Sequence, residues 1–87
     1  MNFLTLIQTL ETTLNRDTIS TKNGPDTITY KGSITSVTIN SEDTYSNVYQ
    51  LFLTHDNSGT ITLHVNHTKR NHTTDYKLSD ITTLEVT

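Results

Sequence analysis

Four residues able to bind metals or move protons, His64, His67, His72 and Asp75, fall within twelve positions of an 87-residue chain. Imidazole nitrogens and carboxylates make a zinc site when three or four of them converge on one point. Lys69 and Arg70 stand among them. A His pair beside such cations could in principle also cleave RNA by acid–base chemistry. Neither chemistry has its signature here. There is no His-Glu-x-x-His pattern, no phosphate-binding Gly-rich loop, no Gly-x-Ser-x-Gly elbow and no dinucleotide fingerprint. The absence of Cys removes disulfides, thiolate metal sites and Cys nucleophiles. The alternation Ile61, Leu63, Val65 turns His64 outward, and the polar stretch 66–74 reads as a solvated loop. We therefore expect no enzyme, no cofactor and no metal site.

Charge is more informative. The chain carries a net charge of −3 and a pI near 5.7. Residues 64–77 run against this trend, with Lys69, Arg70 and Lys77 against Asp75. A nucleic-acid binder commonly shows a basic face and a pI above about 9. Lys69, Arg70 and Lys77, with Tyr76 as a stacking surface, nevertheless define an alternative reading as a single-stranded RNA or DNA binder. The acidic remainder supports a different one. Glu42, Asp43 and Asp56 lie in polar stretches and could occupy a basic groove on a protein partner by charge complementarity. The partner surface expected from sequence is thus Glu42, Asp43 and Asp56 on the acidic side, with Lys69 and Arg70 on the basic side.

These residues must be positioned by one small domain, 1–87. The chain is shorter than the common domain size of roughly 100–150 residues. It contains 20 Thr and no Ala. Thr suits a pleated surface, and the lack of the best helix former argues against a helical bundle. No apolar run approaches the roughly 18 residues of a membrane span. The first residues lack the basic and small-residue flanks of a signal peptide. We expect a cytoplasmic protein.

Phe3, Leu6, Ile7, Leu10 and Leu14 share one helical face, and Asn2 suits the N-cap, so a helix is predicted over about 3–15. Strands follow within 18–87. Ile28, Tyr30 and Ile34 keep even parity, whereas Val37 and Ile39 are odd. Such a change within one strand implies a bulge or bend near Ser36, with Gly32 permitting it. Val48–Leu53, apolar on both parities, reads as a central strand buried on both faces. Residues 40–47 read as an acidic loop. The expected fold is α+β: an N-terminal helix packed on a curled five-stranded antiparallel sheet.

A helix followed by five strands, the second bent at a Gly, resembles the Sm-like and SH3-like small β-barrels. Lys31-Gly32-Ser33-Ile34-Thr35-Ser36-Val37 resembles the bent second strand of Sm-like proteins. Lys77-Leu78-Ser79-Asp80-Ile81-Thr82-Thr83-Leu84 is similar to the closing segment of the Rof family, small inhibitors of the transcription terminator Rho. The Asn-centred RNA-binding loops of Sm proteins are not present. The resemblance implies a module that blocks a nucleic-acid-handling protein. The functional expectation is accordingly a small non-catalytic interaction or inhibitory protein, of the kind encoded by phages and mobile elements. The alternatives are the single-stranded nucleic-acid binder and a structural subunit joined to others through its sheet edges.

Overall fold

A computed structural model describes residues 1–20, 26–31, 34–67 and 72–87. Asn2 caps helix α1 (Phe3–Thr13) by accepting the Thr5 N–H on Oδ1 at 2.8 Å. Thr9 and Thr12 donate their hydroxyls back to the carbonyls of Thr5 and Gln8, which lets these poor helix formers sit in an exposed face. The helix ends two residues earlier than the spacing suggests. Leu14 is already extended, with its N–H closing onto the Leu10 carbonyl, and Asn15 opens the first strand.

Among the described residues eight strands follow: β1 (Asn15–Ser20), β2 (Asp26–Lys31), β3 (Ser36–Ile39), β4 (Asp43–Ser46), β5 (Val48–His55), β6 (Ile61–His67), β7 (His72–Lys77) and β8 (Leu84–Val86). A 3-10 turn, Leu78–Asp80, precedes the last. The five-stranded antiparallel sheet has the order β1-β2-β5-β6-β7, and a second sheet has the order β4-β3-β8. The chain thus leaves the large sheet after β2, returns at β5 and leaves again after β7. The fold is α+β, one helix with a five-stranded and a three-stranded sheet, and the large sheet does not close on itself as a barrel.

Three expectations are corrected here. The parity change between Tyr30 and Val37 does not mark one bent strand. It marks a change of sheet, because β2 and β3 belong to different ladders and parity is reset between them. Gly32, the residue expected to bend the strand, lies outside the described residues. Secondly, the stretches 40–47 and 66–74 contain strand, with β4 in half of the first, and the end of β6 and the start of β7 in the described part of the second. Thirdly, β5 is central but has only one face in the core. Leu51 and Leu53 are buried, Phe52 is half-buried on the other face, and Tyr49 is 40% exposed. Val48 joins the core despite its parity because the register slips between Val48 and Gln50, a bulge that turns Tyr49 out.

The core draws on every layer: Leu6 and Leu10 from the helix, Leu14 from its C-cap, Tyr30, Leu51, Leu53, Leu63 and Val65 from the large sheet, and Val37, Ile39 and Leu84 from the small one. The helix lies against β8 and β1. Ile81 plugs the last connection, where the N-terminal ammonium of Met1 donates to its carbonyl at 2.7 Å. Tyr30 is fully buried, and its hydroxyl donates to Glu11, which also pairs with Arg16.

The turn between β3 and β4 is held by an unusual residue. Asn40 and Ser41 both have positive φ, the type I′ conformation that fits hairpin twist and that Asn tolerates better than most residues. The Asn40 side chain then binds the segment before β8. Its Oδ1 accepts from the Thr82 N–H and hydroxyl, and its Nδ2 donates to the Asp80 carbonyl.

Three outcomes are expected. Leu51→Ala is expected to cost about 2–5 kcal/mol in chemical denaturation, the usual range for a buried Leu. Asn40→Gly keeps the positive φ but loses these bonds. It is expected to cost about 1–3 kcal/mol, and a neutral result would show that the staple is decorative. Burial, followed by the bond to Glu11, also raises the Tyr30 phenol to about 12. Since the folded state holds this proton more tightly than the unfolded chain, stability is expected to fall as pH rises from about 10, the ordinary Tyr value, toward about 12. Tyr30→Phe should flatten that fall in thermal melts across the range.

Candidate contact surface

Of the residues singled out by charge, Glu42 is exposed in the β3–β4 turn and Asp43 is exposed at the start of β4. Asp43 Oδ2 accepts from the Tyr76 hydroxyl at 3.1 Å. The Tyr76 and Tyr45 hydroxyls also hydrogen-bond to each other. Tyr45 belongs to β4, an edge of the small sheet, and Tyr76 to β7, an edge of the large one. The two edges therefore meet through side chains. Burial pushes the Tyr76 phenol well above its ordinary value, and the bonds to Tyr45 and Asp43 raise it further.

The seam continues through histidines. The Tyr45 ring lies 4.8 Å from that of His67, tilted by 35°, and edge-on to Tyr76 at 6.3 Å. His67 bonds Thr74 through Nε2 at 3.0 Å, and His72 follows 6.1 Å away, ring to ring. Tyr45, His67 and Tyr76 are half-buried, while His72, Asp43 and Glu42 are open to solvent. The result is a polar strip with an acidic end and an imidazole end.

The other sequence candidates fall elsewhere. Asp56 sits in the β5–β6 turn, at the opposite end of that hairpin from His67. It accepts from the Ser58 N–H and hydroxyl and from the Thr60 N–H. The Ser58 hydroxyl bond, then the Thr60 backbone bond, hold its carboxyl below the ordinary value. Asp56 thus organises its turn, with Gly59 supplying the positive φ. Lys77 is exposed at the end of β7, opposite Thr62. Lys69 and Arg70 lie outside the described residues. Tyr76 is not a free stacking platform, since its hydroxyl is engaged in the seam.

His64 and His67 share β6 with a two-residue alternation between them broken by their odd separation, so the strand sends them to opposite faces. The group His64, His67, His72 and Asp75 therefore does not converge, and among the described residues no cluster of three or more ligating side chains is placed to hold a metal ion. His64 instead meets Phe52, Thr54 and Asp75 on the outer face. Among the described residues no helix is long and apolar enough to cross a membrane.

Tyr45 suggests itself from sequence only as one of four tyrosines able to stack on bases, with Tyr30, Tyr49 and Tyr76, and not as part of a contact with Tyr76. The signal for it was latent in hairpin length, since the tight turn after Ile39 sets Val37 opposite Tyr45 and puts both on the inner face. Compared with known proteins, the chain matches no family model, no curated protein and no solved structure. What stands is the architecture itself, a small sheet-rich α+β domain.

The seam has a measurable strength. Tyr76→Phe deprives both Asp43 and Tyr45 of a partner and is expected to cost about 1–2 kcal/mol. In a double-mutant cycle with Tyr45→Phe, a coupling of about 0.5 kcal/mol or more is expected. Strict additivity would mean the two hydroxyls do not interact.

Proposed function

We propose that this protein is a small non-catalytic interaction module whose contact surface is the strip along β4 and the β6–β7 end. The observation that carries this reading is the Tyr76–Asp43 hydrogen bond. It joins two segments that sequence marked separately, one acidic and one His-rich, into a single surface. Glu42 and Asp43 give that surface an anionic end suited to a basic groove. Together with the likeness of residues 77–84 to the Rof family, this favours an inhibitor directed at a nucleic-acid-handling protein, as phages and mobile elements encode. The alternative, a single-stranded nucleic-acid binder using Lys69, Arg70, Lys77 and Tyr76, is weakened by the engagement of Tyr76 in the seam.

The test uses two probes on the intact chain. Amide shifts are followed by NMR on titration with an arginine-rich peptide, and binding of a mixed single-stranded RNA and DNA pool is followed by fluorescence anisotropy at low and moderate salt. Peptide-induced shifts are expected to cluster on residues 40–46, 67 and 72 and to vanish in a Glu42→Lys, Asp43→Lys variant. Shifts scattered equally over Asp56 and Glu85 would remove the strip from consideration. Micromolar oligonucleotide binding that weakens steeply with salt would establish the nucleic-acid reading instead.

A further inference from the structure

The outer face of the large sheet holds a constellation unrelated to the seam. Asp75 Oδ1 lies 2.6 Å from His64 Nδ1, and His64 Nε2 lies 2.8 Å from Thr54 Oγ1. Register explains the convergence. His64 is directly opposite Asp75 in the β6–β7 ladder, and Thr54 is one pair diagonal to His64 in the β5–β6 ladder, opposite Thr62. Diagonal neighbours on one sheet face are within reach of a ring as long as imidazole. The Phe52 ring stacks on His64 at 4.7 Å and 14°, covering one face of the imidazole and fixing its plane.

The protons are ordered by elimination. An ionised carboxylate only accepts, so Nδ1 carries the hydrogen toward Asp75. Nε2 then presents a lone pair to the Thr54 hydroxyl. This is the hydroxyl–imidazole–carboxylate arrangement by which a weak nucleophile is activated, recognised by geometry and role rather than by order along the chain. The His64 side chain is 17% exposed and Thr54 is half-buried, so a small reagent can reach them.

We propose that Thr54 is an acylation site: its hydroxyl takes the acyl group of a small activated aryl ester, with His64 as general base and Asp75 as the positioning residue. In the step, Thr54 Oγ1 forms a bond to the acyl carbon, the bond from that carbon to the leaving oxygen breaks, and the phenolate departs with the electron pair. The hydroxyl proton passes to His64 Nε2 and from there to the departing oxygen or water. Thr54 sits on the central strand, paired on one side with Thr27 and on the other with Thr62. The alkyl ester so formed has a far poorer leaving group than the activated ester that supplied the acyl group, so the acyl group is expected to stay on Thr54 instead of turning over.

The chain carries its own controls in threonines such as Thr9, Thr12 and Thr38, whose hydroxyls bond to a backbone carbonyl or to another hydroxyl. The folded protein is treated with p-nitrophenyl acetate, digested and mapped by mass spectrometry. Adducts are sorted into esters, released by hydroxylamine, and amides, which are not. An ester on Thr54 forming roughly 10²-fold faster than on any other Thr is expected, the lower end of general-base assistance. His64→Gln should remove that advantage. Asp75→Asn should reduce it and change the 15N shifts of the His64 ring as the tautomer preference is lost, a readout that a purely structural role would not move. Circular dichroism of each variant confirms folding, and Thr54→Ser should retain the ester where Thr54→Val abolishes it. Acetylation of amines alone, or of Thr54 at the rate of the other threonines, or at a rate indifferent to His64→Gln, overturns the proposal.

Discussion

The structure depends on one constraint: a single small core is shared by two sheets whose edges, among the described residues, are not joined by a backbone ladder. Neither sheet could bury its inner face alone. β3 and β8 give Val37, Ile39 and Leu84 to the same interior that receives Leu51, Leu63 and Val65 from β5 and β6. The free edges must then be reconciled without a continuous ladder. On one side α1 lies against β8 and β1. On the other, Tyr45 and Tyr76 join hands across the gap, with Asp43 as acceptor. Tyrosine suits this task because its ring fills apolar space while its hydroxyl satisfies a polar boundary.

This explains why the surface of interest sits where it does. A seam made of side chains presents ring edges, hydroxyls and carboxylates, whereas a ladder would present paired backbone. It is also where the two stretches of opposite local character, around Glu42–Asp43 and His67–His72, come together. The opposite end of the β5–β6 hairpin has no such role, and Asp56 there serves its own turn. Charge alone marked all of these residues alike, and only their placement separates a turn-forming carboxylate such as Asp56 from Asp43, which stands exposed beside the seam.

Much of the fold was legible in the residues. The spacing of Phe3, Leu6, Ile7, Leu10 and Leu14 gave the helix, and Asn2 its cap. The clean alternation of Ile61, Leu63 and Val65 gave β6 and the outward turn of His64. What misled was parity taken as a local signal. Val37 and Ile39 were odd because they belonged to another sheet, and no local pattern distinguishes a bulge from a change of ladder. The run 48–53 looked buried twice over because a register slip at Tyr49 brought Val48 inward, while Phe52 was apolar for the sake of the His64 ring. The seam and the Thr54–His64–Asp75 arrangement were illegible for a related reason. Both depend on which residues face each other across strands, and register is fixed by turn lengths and bulges rather than by residue type.

The central claim, that β4 and β7 meet through their tyrosines to form one surface, is tested most directly by NMR. In the folded protein, nuclear Overhauser contacts are expected between the ring protons of Tyr45 and those of both His67 and Tyr76, whose ring centroids lie 4.8 and 6.3 Å from that of Tyr45. Contacts from Tyr45 confined to its own hairpin partner Val37 would contradict the account. They would leave Glu42–Asp43 and His67–His72 as two unrelated patches.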